Sequence, residues 1–303
     1  MRIVVHGQKA FGKTLVERLL DNGENVVAVC SGPSDDSQGH DPIVEYAQEN
    51  DIPVYQPNSW KTLEALELMK SFDADLCMMA YVLLLVPQSV LDAPRLGTFQ
   101  FHPSLLPYHR GPSSISWPIA MGKKRTGLTI FWPNERLDEG DVLLSKSCAI
   151  GPDDTLGSVY FDKLFPMGIE AMLEGLELVK AGLILKHKQD PKSGSYESWF
   201  TKELAKINWK HHVDVVYNMV RAANPAPGAW SAIQGHNVDF FTSIKKSKTG
   251  KPGEIIAISN EGILVSAKSG SILAKQLRLP GGKKMLAAEL AVELGLGVGD
   301  KFV

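Results

Sequence analysis

Short apolar runs alternate with amphipathic segments along the N-terminal part of the chain. The runs over 1–6, 24–30 and 75–82 are nearly continuously apolar and have the length of buried strands. Further strands are predicted over 52–57 and 97–101, and helices over 12–22, 41–50, 60–71 and 87–92. Strands that alternate with helices favour an α/β fold, in which a parallel sheet is covered by helices on both faces.

The pattern changes in the C-terminal part of the chain. Two strands over 125–132 and 141–148 precede a long helical stretch over 154–181, and residues 186–205 are polar without clear periodicity. The later elements are a helix over 211–222 and short strand-like runs over 238–244, 253–259, 262–267 and 271–279. We therefore predict a catalytic domain over 1–185, a linker over 186–205 and a small antiparallel barrel over 206–303.

The composition is that of a folded chain. Of its 303 residues, 44% are hydrophobic, which is enough apolar surface for a packed core. The longest apolar run, 76–86, has 11 residues, well short of the ~20 that a bilayer span needs. Three scattered cysteines exclude a disulfide framework and have no metal-ligand spacing. We expect a soluble, cytoplasmic protein with no metal and no membrane partner.

The charge is nearly balanced but unevenly distributed. Residues 206–303 hold 13 of the 32 Lys+Arg and 7 of the 34 Asp+Glu, a net of +6, which leaves 19 and 27, a net of −8, on residues 1–205. A basic C-terminal part can attract polyanions. Ordinary solubility residues give a similar imbalance, so charge alone leaves both interpretations open.

Residues 7–14 (GQKAFGKT) are a literal match to the phosphate-binding pattern G-x-x-x-x-G-K-[ST]. A nucleotidase also needs an acidic metal ligand at the end of another apolar strand, and the strand over 76–82 ends in Ala80-Tyr81-Val82. Glycines at these positions equally suit a tight strand-to-helix turn with close packing. We therefore favour the tight turn over a nucleotide site.

Candidate chemistry is concentrated between Gly97 and Asp141. His102 directly follows an apolar strand, so it would lie at the carboxyl end of the sheet, where ligands of α/β folds bind. Its imidazole suits proton donation or oxyanion stabilisation near neutral pH. Asp138, in a turn between two strands, could orient that imidazole. Gln100 lies on the same strand face as His102, and its amide could donate to an oxyanion.

The motifs in this segment resemble the formyltransferase family that uses 10-formyltetrahydrofolate. They are His102–Pro107 (HPSLLP), Arg110-Gly111 and Leu137–Asp141 (LDEGD), and the interval from His102 to Asp138 fits the family's catalytic pair. Segments that resemble the family's second domain follow in order at 205–209, 221–230, 252–255 and 281–285. The resemblance thus covers nearly the whole chain.

The resemblance implies a Rossmann-like catalytic domain, an OB-like barrel and a mechanism. An amine or water would attack the formyl carbon on N10 of the folate. His102 would stabilise the oxyanion or protonate N10, and Asp138 would orient His102 and help to remove a proton from the nucleophile. The residues expected to contact the folate are Leu84, Leu85, Val86, Ser104, Leu105, Leu106, Pro107, Asn134, Glu139, Gly140 and Asp141.

Gln100 departs from the family pattern. The family's transferases have Asn two residues before the catalytic His, and the hydrolase relatives have an apolar residue there. Gln100 keeps the amide but is one methylene longer, and a misplacement of about 1 Å can cost about 100-fold in rate. A non-catalytic folate-binding protein is therefore the alternative from another functional class.

Two subfamilies compete for the acceptor. Ser59-Trp60, Ile130–Trp132 and Leu164–Pro166 look like the hydrolase domain of 10-formyltetrahydrofolate dehydrogenase, whose acceptor is water. Ala80-Tyr81 and Lys283-Lys284 look like methionyl-tRNA formyltransferase. Amino-sugar formyltransferases share the same core and stay open.

The loop over 31–41 bears on this choice. It has three Asp and no Lys or Arg, whereas the tRNA enzymes carry a basic insertion there. An acidic loop would repel a phosphate backbone. We therefore expect formyl transfer or hydrolysis with a small amine or water as acceptor, and keep tRNA as a disfavoured alternative.

Overall fold

The computed structural model describes residues 1–33, 41–82 and 84–303. The strands are β1 (Arg2–Gly7), β2 (Asn25–Cys30), β3 (Val54–Tyr55), β4 (Leu76–Ala80), β5 (Thr98–His102), β6 (Arg125–Trp132), β7 (Asp141–Ala149), β8 (Ala229–Ile233), β9 (His236–Phe240), β10 (Ser243–Lys246), β11 (Ile255–Ser259), β12 (Gly262–Ala267), β13 (Gly270–Ala274), β14 (Gln276–Arg278) and β15 (Met285–Leu286). The α-helices are α1 (Lys9–Asp21), α2 (Pro42–Glu49), α3 (Leu63–Ser71), α4 (Gln88–Leu91), α5 (Ser116–Ala120), α6 (Leu156–Ser158), α7 (Phe165–Lys180), α8 (Val213–Ala222) and α9 (Ala287–Glu293).

The chain divides into two compact units. The first contains residues 1–111, 127–148 and 163–196, and the second contains residues 112–126, 149–162 and 197–303. The domain boundaries predicted at 185/186 and 205/206 stay a prediction. In the described residues, no helix is long and apolar enough to cross a membrane.

A seven-stranded sheet in the order β3-β2-β1-β4-β5-β6-β7 forms the centre of the first unit. Strands β1 to β5 are parallel, and β6 runs antiparallel to β5. The chain moves from β1 to β2 on one side and returns to β4 on the other. This reversal opens a crevice at the carboxyl ends of the strands, the usual ligand site of such sheets. The structure thus confirms the α/β fold expected from the sequence.

Alternating residues of each strand supply two hydrophobic cores, one on each face of the sheet. Ile3 and Val5 pack with residues of α1, α2 and α7 on one face. Val4 packs with residues of α3 and α4 on the other, together with Trp60. Because both faces are covered, the strands read as continuous apolar runs in the sequence.

His6, at the carboxyl end of β1, is a buried titratable residue inside a run that the sequence pattern predicts to be apolar. It is 2% exposed, and its ring lies 4.8 Å from the ring of Trp60. Burial disfavours the imidazolium and lowers the pKa of His6 to about 3. His6 is therefore neutral near pH 7.

The buried His6 should make stability depend on pH. The unfolded chain binds a proton below about pH 6.5 and the folded chain does not until about pH 3, so the free energy of unfolding falls as pH drops through this window, by about 1.4 kcal/mol per pH unit. His6→Gln should remove that slope. Urea unfolding at pH 7 and pH 5 measures it, with the exposed His236→Gln as control. Parallel pH profiles for wild type and His6→Gln would contradict this expectation.

Two four-stranded antiparallel sheets form the β part of the second unit, β10-β13-β12-β11 and β15-β14-β9-β8. The rings of Trp209, Phe240 and Phe302 pack within 5.2 to 6.0 Å of one another, and the Trp209 indole N–H donates to Ser231 Oγ at 2.9 Å. This cluster is the buried aromatic centre of the unit. The antiparallel β domain predicted for the C-terminal part is confirmed.

Some predicted elements are divided differently in the structure. The apolar runs over 238–244 and 271–279 each break into two strands that belong to different sheets. The helical stretch predicted over 154–181 consists of α6, a π-helical segment over Val159–Leu164 and α7. Periodicity in the sequence identifies apolar segments, but it does not show where the backbone leaves one sheet and begins to pair in another.

Candidate active site

His102 and Asp138 face each other at the carboxyl end of β5. His102 Nδ1 lies 3.7 Å from Asp138 Oδ1, and the two residues are 6% and 7% exposed. His102 is the last residue of β5, and Asp138 comes from the turn between β6 and β7. The structure therefore brings together the two residues that the sequence pairs across 36 positions.

Backbone groups hold both members of the pair. His102 Nε2 is 3.1 Å from the carbonyl oxygen of His109, so this nitrogen carries the proton because a carbonyl can only accept. The backbone N–H of Gly111 donates to Asp138 Oδ2 at 2.8 Å. Asp138 has a φ of +56°, in the left-handed region that non-glycine residues avoid. Strained backbone of this kind is concentrated at functional sites.

Gln100 lies two residues before His102 on β5 and is level with Met79 of β4. Its side chain is half-buried, and among the described residues no hydrogen-bond partner is found for its amide. A side-chain amide without an intramolecular partner can donate to a ligand. The proposed contribution of Gln100 to an oxyanion stays a prediction.

The segment after His102 is shaped by a small hydrogen-bond network. Ser104 is fully buried, and its Oγ donates to the carbonyl oxygen of Tyr108 at 2.7 Å. Thr129 Oγ1 donates to the Ser104 carbonyl at 2.8 Å and accepts from the Leu106 N–H at 3.1 Å. The Leu106–Pro107 peptide bond is cis. The expected folate residue Ser104 therefore has a structural partner, and Leu105 is half-buried beside it.

Two further residues of the 134–141 turn are held by the protein. Glu139 forms an ion pair with Arg110 and lies 3.5 Å from Arg136. Gly140 is buried, and a Cβ there would lie 1.7 Å from the carbonyl oxygen of Trp132. Only glycine fits at this close approach of two backbones.

The residues expected to contact folate include some that line two pockets of the described structure and some that pack on the hydrophobic core. Asn134 and Asp141 line a pocket of about 210 Å³ together with Trp132 and Lys186. Leu106 and Pro107 line another of about 550 Å³ with Gln189. Leu84 and Val86 pack on the hydrophobic core beside α3 and α4, and Leu85 is 64% exposed. The folate contacts of all these residues stay predictions.

The segment that matches the phosphate-binding pattern is a tight strand-to-helix turn. The N–H of Lys9, at the start of α1, already donates to the carboxylate of Asp41 at 2.6 Å. The Lys13 ammonium lies 5.4 Å from the centre of the Tyr46 ring. A Cβ on Gly7 would lie 2.6 Å from the carbonyl oxygen of Ala80, so glycine allows the close packing. An aspartate thus already accepts from a backbone N–H that a bound phosphate would need.

Two residues near the pair were not found by sequence reasoning. Gln189 donates to the carbonyl oxygens of Asp138 and Gly140, and Ser195 Oγ accepts from the N–H of His109. Both come from the polar segment predicted as a linker. Nothing in its composition or spacing distinguishes them. The predicted acidic loop over 31–41 lies mostly outside the described residues, which omit 34–40.

The fold and the site define a class: an α/β enzyme with a buried histidine–carboxylate pair at the carboxyl end of its sheet and a C-terminal β domain. The chain belongs to the formyl transferase family. The family model "Formyl transferase" matches residues 1–174, and "Formyl transferase, C-terminal domain" matches residues 200–294. Members of this family are enzymes that use formyl-tetrahydrofolate.

Curated relatives include two kinds of protein. The chain is 34% identical to the methionyl-tRNA formyltransferase of Geobacter sulfurreducens, over 99% of this chain and 96% of that protein. It is 33% identical to the cytosolic 10-formyltetrahydrofolate dehydrogenase of Xenopus tropicalis, over 95% of this chain but 34% of the dehydrogenase. The chain therefore spans about a third of the dehydrogenase and nearly all of the tRNA enzyme.

Solved structures share the fold at low sequence identity. HypX from Aquifex aeolicus, in complex with tetrahydrofolic acid, matches with a TM-score of 0.73 and 22% identity, over 98% of this chain and 48% of HypX. WlaRD, a sugar 3N-formyl transferase, matches with a TM-score of 0.71 and 16% identity, over 93% of this chain and 99% of WlaRD. These likenesses support the architecture and not the acceptor.

Proposed function

We propose that the chain releases the formyl group of 10-formyltetrahydrofolate at the His102–Asp138 pair, with water or a small amine as acceptor. The observation that carries the proposal is the 3.7 Å approach of two buried groups, an imidazole and a carboxylate, at the carboxyl end of the sheet. A proton donor and a carboxylate held together out of water are suited to acyl transfer.

The reaction needs a proton to be moved twice. The nucleophile attacks the formyl carbon and loses a proton toward the Asp138 carboxylate, while the carbonyl oxygen becomes an oxyanion. The amide of Gln100 donates to that oxyanion, and so does the Nε2–H of His102, which exchanges its bond to the His109 carbonyl for one to the substrate. The oxyanion then re-forms the carbonyl as the bond between the formyl carbon and N10 breaks, and the proton that Asp138 took up passes to N10. The products are tetrahydrofolate and either formic acid, which ionises to formate, or the formamide of the amine.

The charge of the 31–41 segment favours a small acceptor. Residues 31–41 have three Asp and no Lys or Arg, and Lys9 lies 3.6 Å from the carboxylate of Asp41, which offsets its charge. A phosphate backbone gains affinity from unpaired Lys and Arg. Water and uncharged amines need none. We expect this chemistry to take place in the cytoplasm, where reduced folates are used.

Methionyl-tRNA formylation is the second candidate. The relative that carries this name matches along nearly its whole length, whereas the dehydrogenase matches over about a third of its own. Residues 206–303 also carry a net charge of +6, which suits a polyanion.

One assay separates these candidates. The protein is incubated with 10-formyltetrahydrofolate alone, with primary amines including amino sugars, and with charged initiator tRNA, and tetrahydrofolate is measured. We expect release without tRNA, abolished in His102→Ala. Release that strictly requires tRNA would establish the second candidate instead. Folate binding with no release under any condition would identify a non-catalytic folate-binding protein.

A further inference from the structure

A strap formed by residues 187–196 runs along the first unit and is fastened at both ends. At one end the backbones of His187 and Val142 exchange hydrogen bonds at 2.8 and 2.9 Å. At the other end Ser195 donates its N–H to the carbonyl of Pro107 and accepts from the N–H of Arg110, each at 3.1 Å. A segment held in this way is a fixed support rather than a free connection.

Gln189 of the strap points its side chain at the turn that carries Asp138. Its Nε2 donates to the carbonyl oxygen of Asp138 at 2.9 Å and to that of Gly140 at 2.7 Å. The orientation of the amide is unambiguous, because both partners are acceptors and only the NH₂ end can donate. Both amide hydrogens are therefore used on one short stretch of the turn.

The other end of the same amide indicates that this position is selected for donation. Gln189 Oε1 is buried and has no hydrogen-bond partner in the part of the chain that the structure describes. A buried acceptor without a partner costs about 1–3 kcal/mol. An apolar side chain would avoid this cost but would also leave the carbonyls of Asp138 and Gly140 without these donors, so the position favours a side chain that donates to the turn.

We propose that Gln189 is a positioning residue that holds the carboxylate of Asp138 toward His102. Asp138 needs such support because its left-handed φ of +56° is unfavourable for a residue with a Cβ. The Asp138 carbonyl belongs to the peptide plane that follows Asp138, and the Gly140 carbonyl to a plane two residues further on, so the two bonds fix ψ of Asp138 and the C-terminal half of the turn, and with them the place from which the Asp138 side chain extends. This inference rests on the proposed catalytic use of the pair.

Gln189→Met tests the proposal, because Met has a similar length but no donor. Displacing a reacting group by about 1 Å can cost about 100-fold, so we expect kcat for tetrahydrofolate release to fall about 10-fold to 100-fold, with little change in KM. Gln189→Lys, whose ammonium can donate to both carbonyls, should recover part of the loss. A packing role would not be rescued by Lys.

A double-mutant cycle with Asp138→Asn distinguishes positioning from a general loss of stability. If Gln189 acts through Asp138, Gln189→Met should have little further effect on kcat in the Asp138→Asn background. Asn50→Ala is the matched control. This variant also removes a hydrogen bond from a side-chain amide to a carbonyl oxygen, that of Tyr46 at 2.8 Å. Asn50 lies at the end of α2, which is at the amino edge of the sheet.

Hydrogen–deuterium exchange of the full chain gives a readout that does not need turnover. Gln189→Met should speed amide exchange in residues 134–140 and leave β1 and α1 unchanged. Unchanged exchange in that turn, or equal effects of Gln189→Met and Asn50→Ala on kcat, would overturn the proposal. A wild-type protein that releases no tetrahydrofolate with any acceptor would instead contradict the proposed function, and the exchange result would still decide whether Gln189 holds the turn.

Discussion

Asp138→Asn is expected to lower kcat for formyl release by about 10³-fold, with little loss of stability. Asparagine has the same shape, and its side-chain oxygen can still accept from the N–H of Gly111, as Asp138 Oδ2 does at 2.8 Å. What disappears is the negative charge that lies 3.7 Å from the His102 ring. Without that charge the His102 ring loses the carboxylate that orients it, and the nucleophile loses its proton acceptor.

The matched control is Asp75→Asn. Asp75 also accepts a backbone N–H, from Arg2 at 2.9 Å, and pairs with Arg95 at 2.8 Å, but it lies before β4 at the amino edge of the sheet. Initial rates of tetrahydrofolate release and thermal unfolding should be measured on both variants. If kcat falls equally in both, loss of a carboxylate acts through general stability, and Asp138 has no special part in the chemistry.

Gly140→Ala is expected to lower the free energy of unfolding by about 3 kcal/mol and to impair formyl release as well. The new Cβ would lie 1.7 Å from the carbonyl oxygen of Trp132 and 2.7 Å from its carbonyl carbon, both within the backbone of β6. Because neither partner is a flexible side chain, the turn itself must move. That turn carries Asp138, so stability and activity should fall together.

Gly182→Ala provides the comparison. Gly182 has a φ of +76°, but a Cβ there meets nothing within 4 Å. Gly182→Ala should therefore lower the free energy of unfolding only by the cost of a left-handed backbone for Ala, about 1–2 kcal/mol. Gly182 also follows α7, away from the turn, and its variant should keep full kcat. Urea unfolding and initial rates check both expectations. Equal stability losses would mean that the close approach at Gly140 relaxes without cost.

Much of the site was accessible from local sequence. His102 follows an apolar strand, so its place at the carboxyl end of the sheet follows from strand direction alone. Asp138 lies in a turn between two strands, and its spacing from His102 resembles the formyl transferases. Gln189 could not be found this way, because its bond to Asp138 joins residues 51 positions apart within a segment that has neither periodicity nor motif.

The C-terminal β domain likewise has features that the sequence predicts and features that only the structure shows. The apolar runs over 238–244 and 271–279 correctly indicated strands, but each run changes sheet within a few residues. Thr242 and Lys275 mark these changes, where the backbone N–H of Lys275 bonds to the carbonyl of Thr242 at 2.8 Å. The alternation of apolar and polar side chains indicates which residues are buried. Because the residues stay buried where the chain passes from one sheet to the other, the alternation does not show that point.

The sequence by itself determined the α/β class and the antiparallel C-terminal part, because buried strands leave apolar runs along the chain. It also identified His102 and Asp138, because each lies in a short motif that resembles the formyl transferases. Only the tertiary structure decided how the pair is held: by the N–H of Gly111, the carbonyl of His109 and the amide of Gln189. These are backbone or generic amide groups, which every chain has in abundance. Their roles arise from position in space, which no residue type encodes.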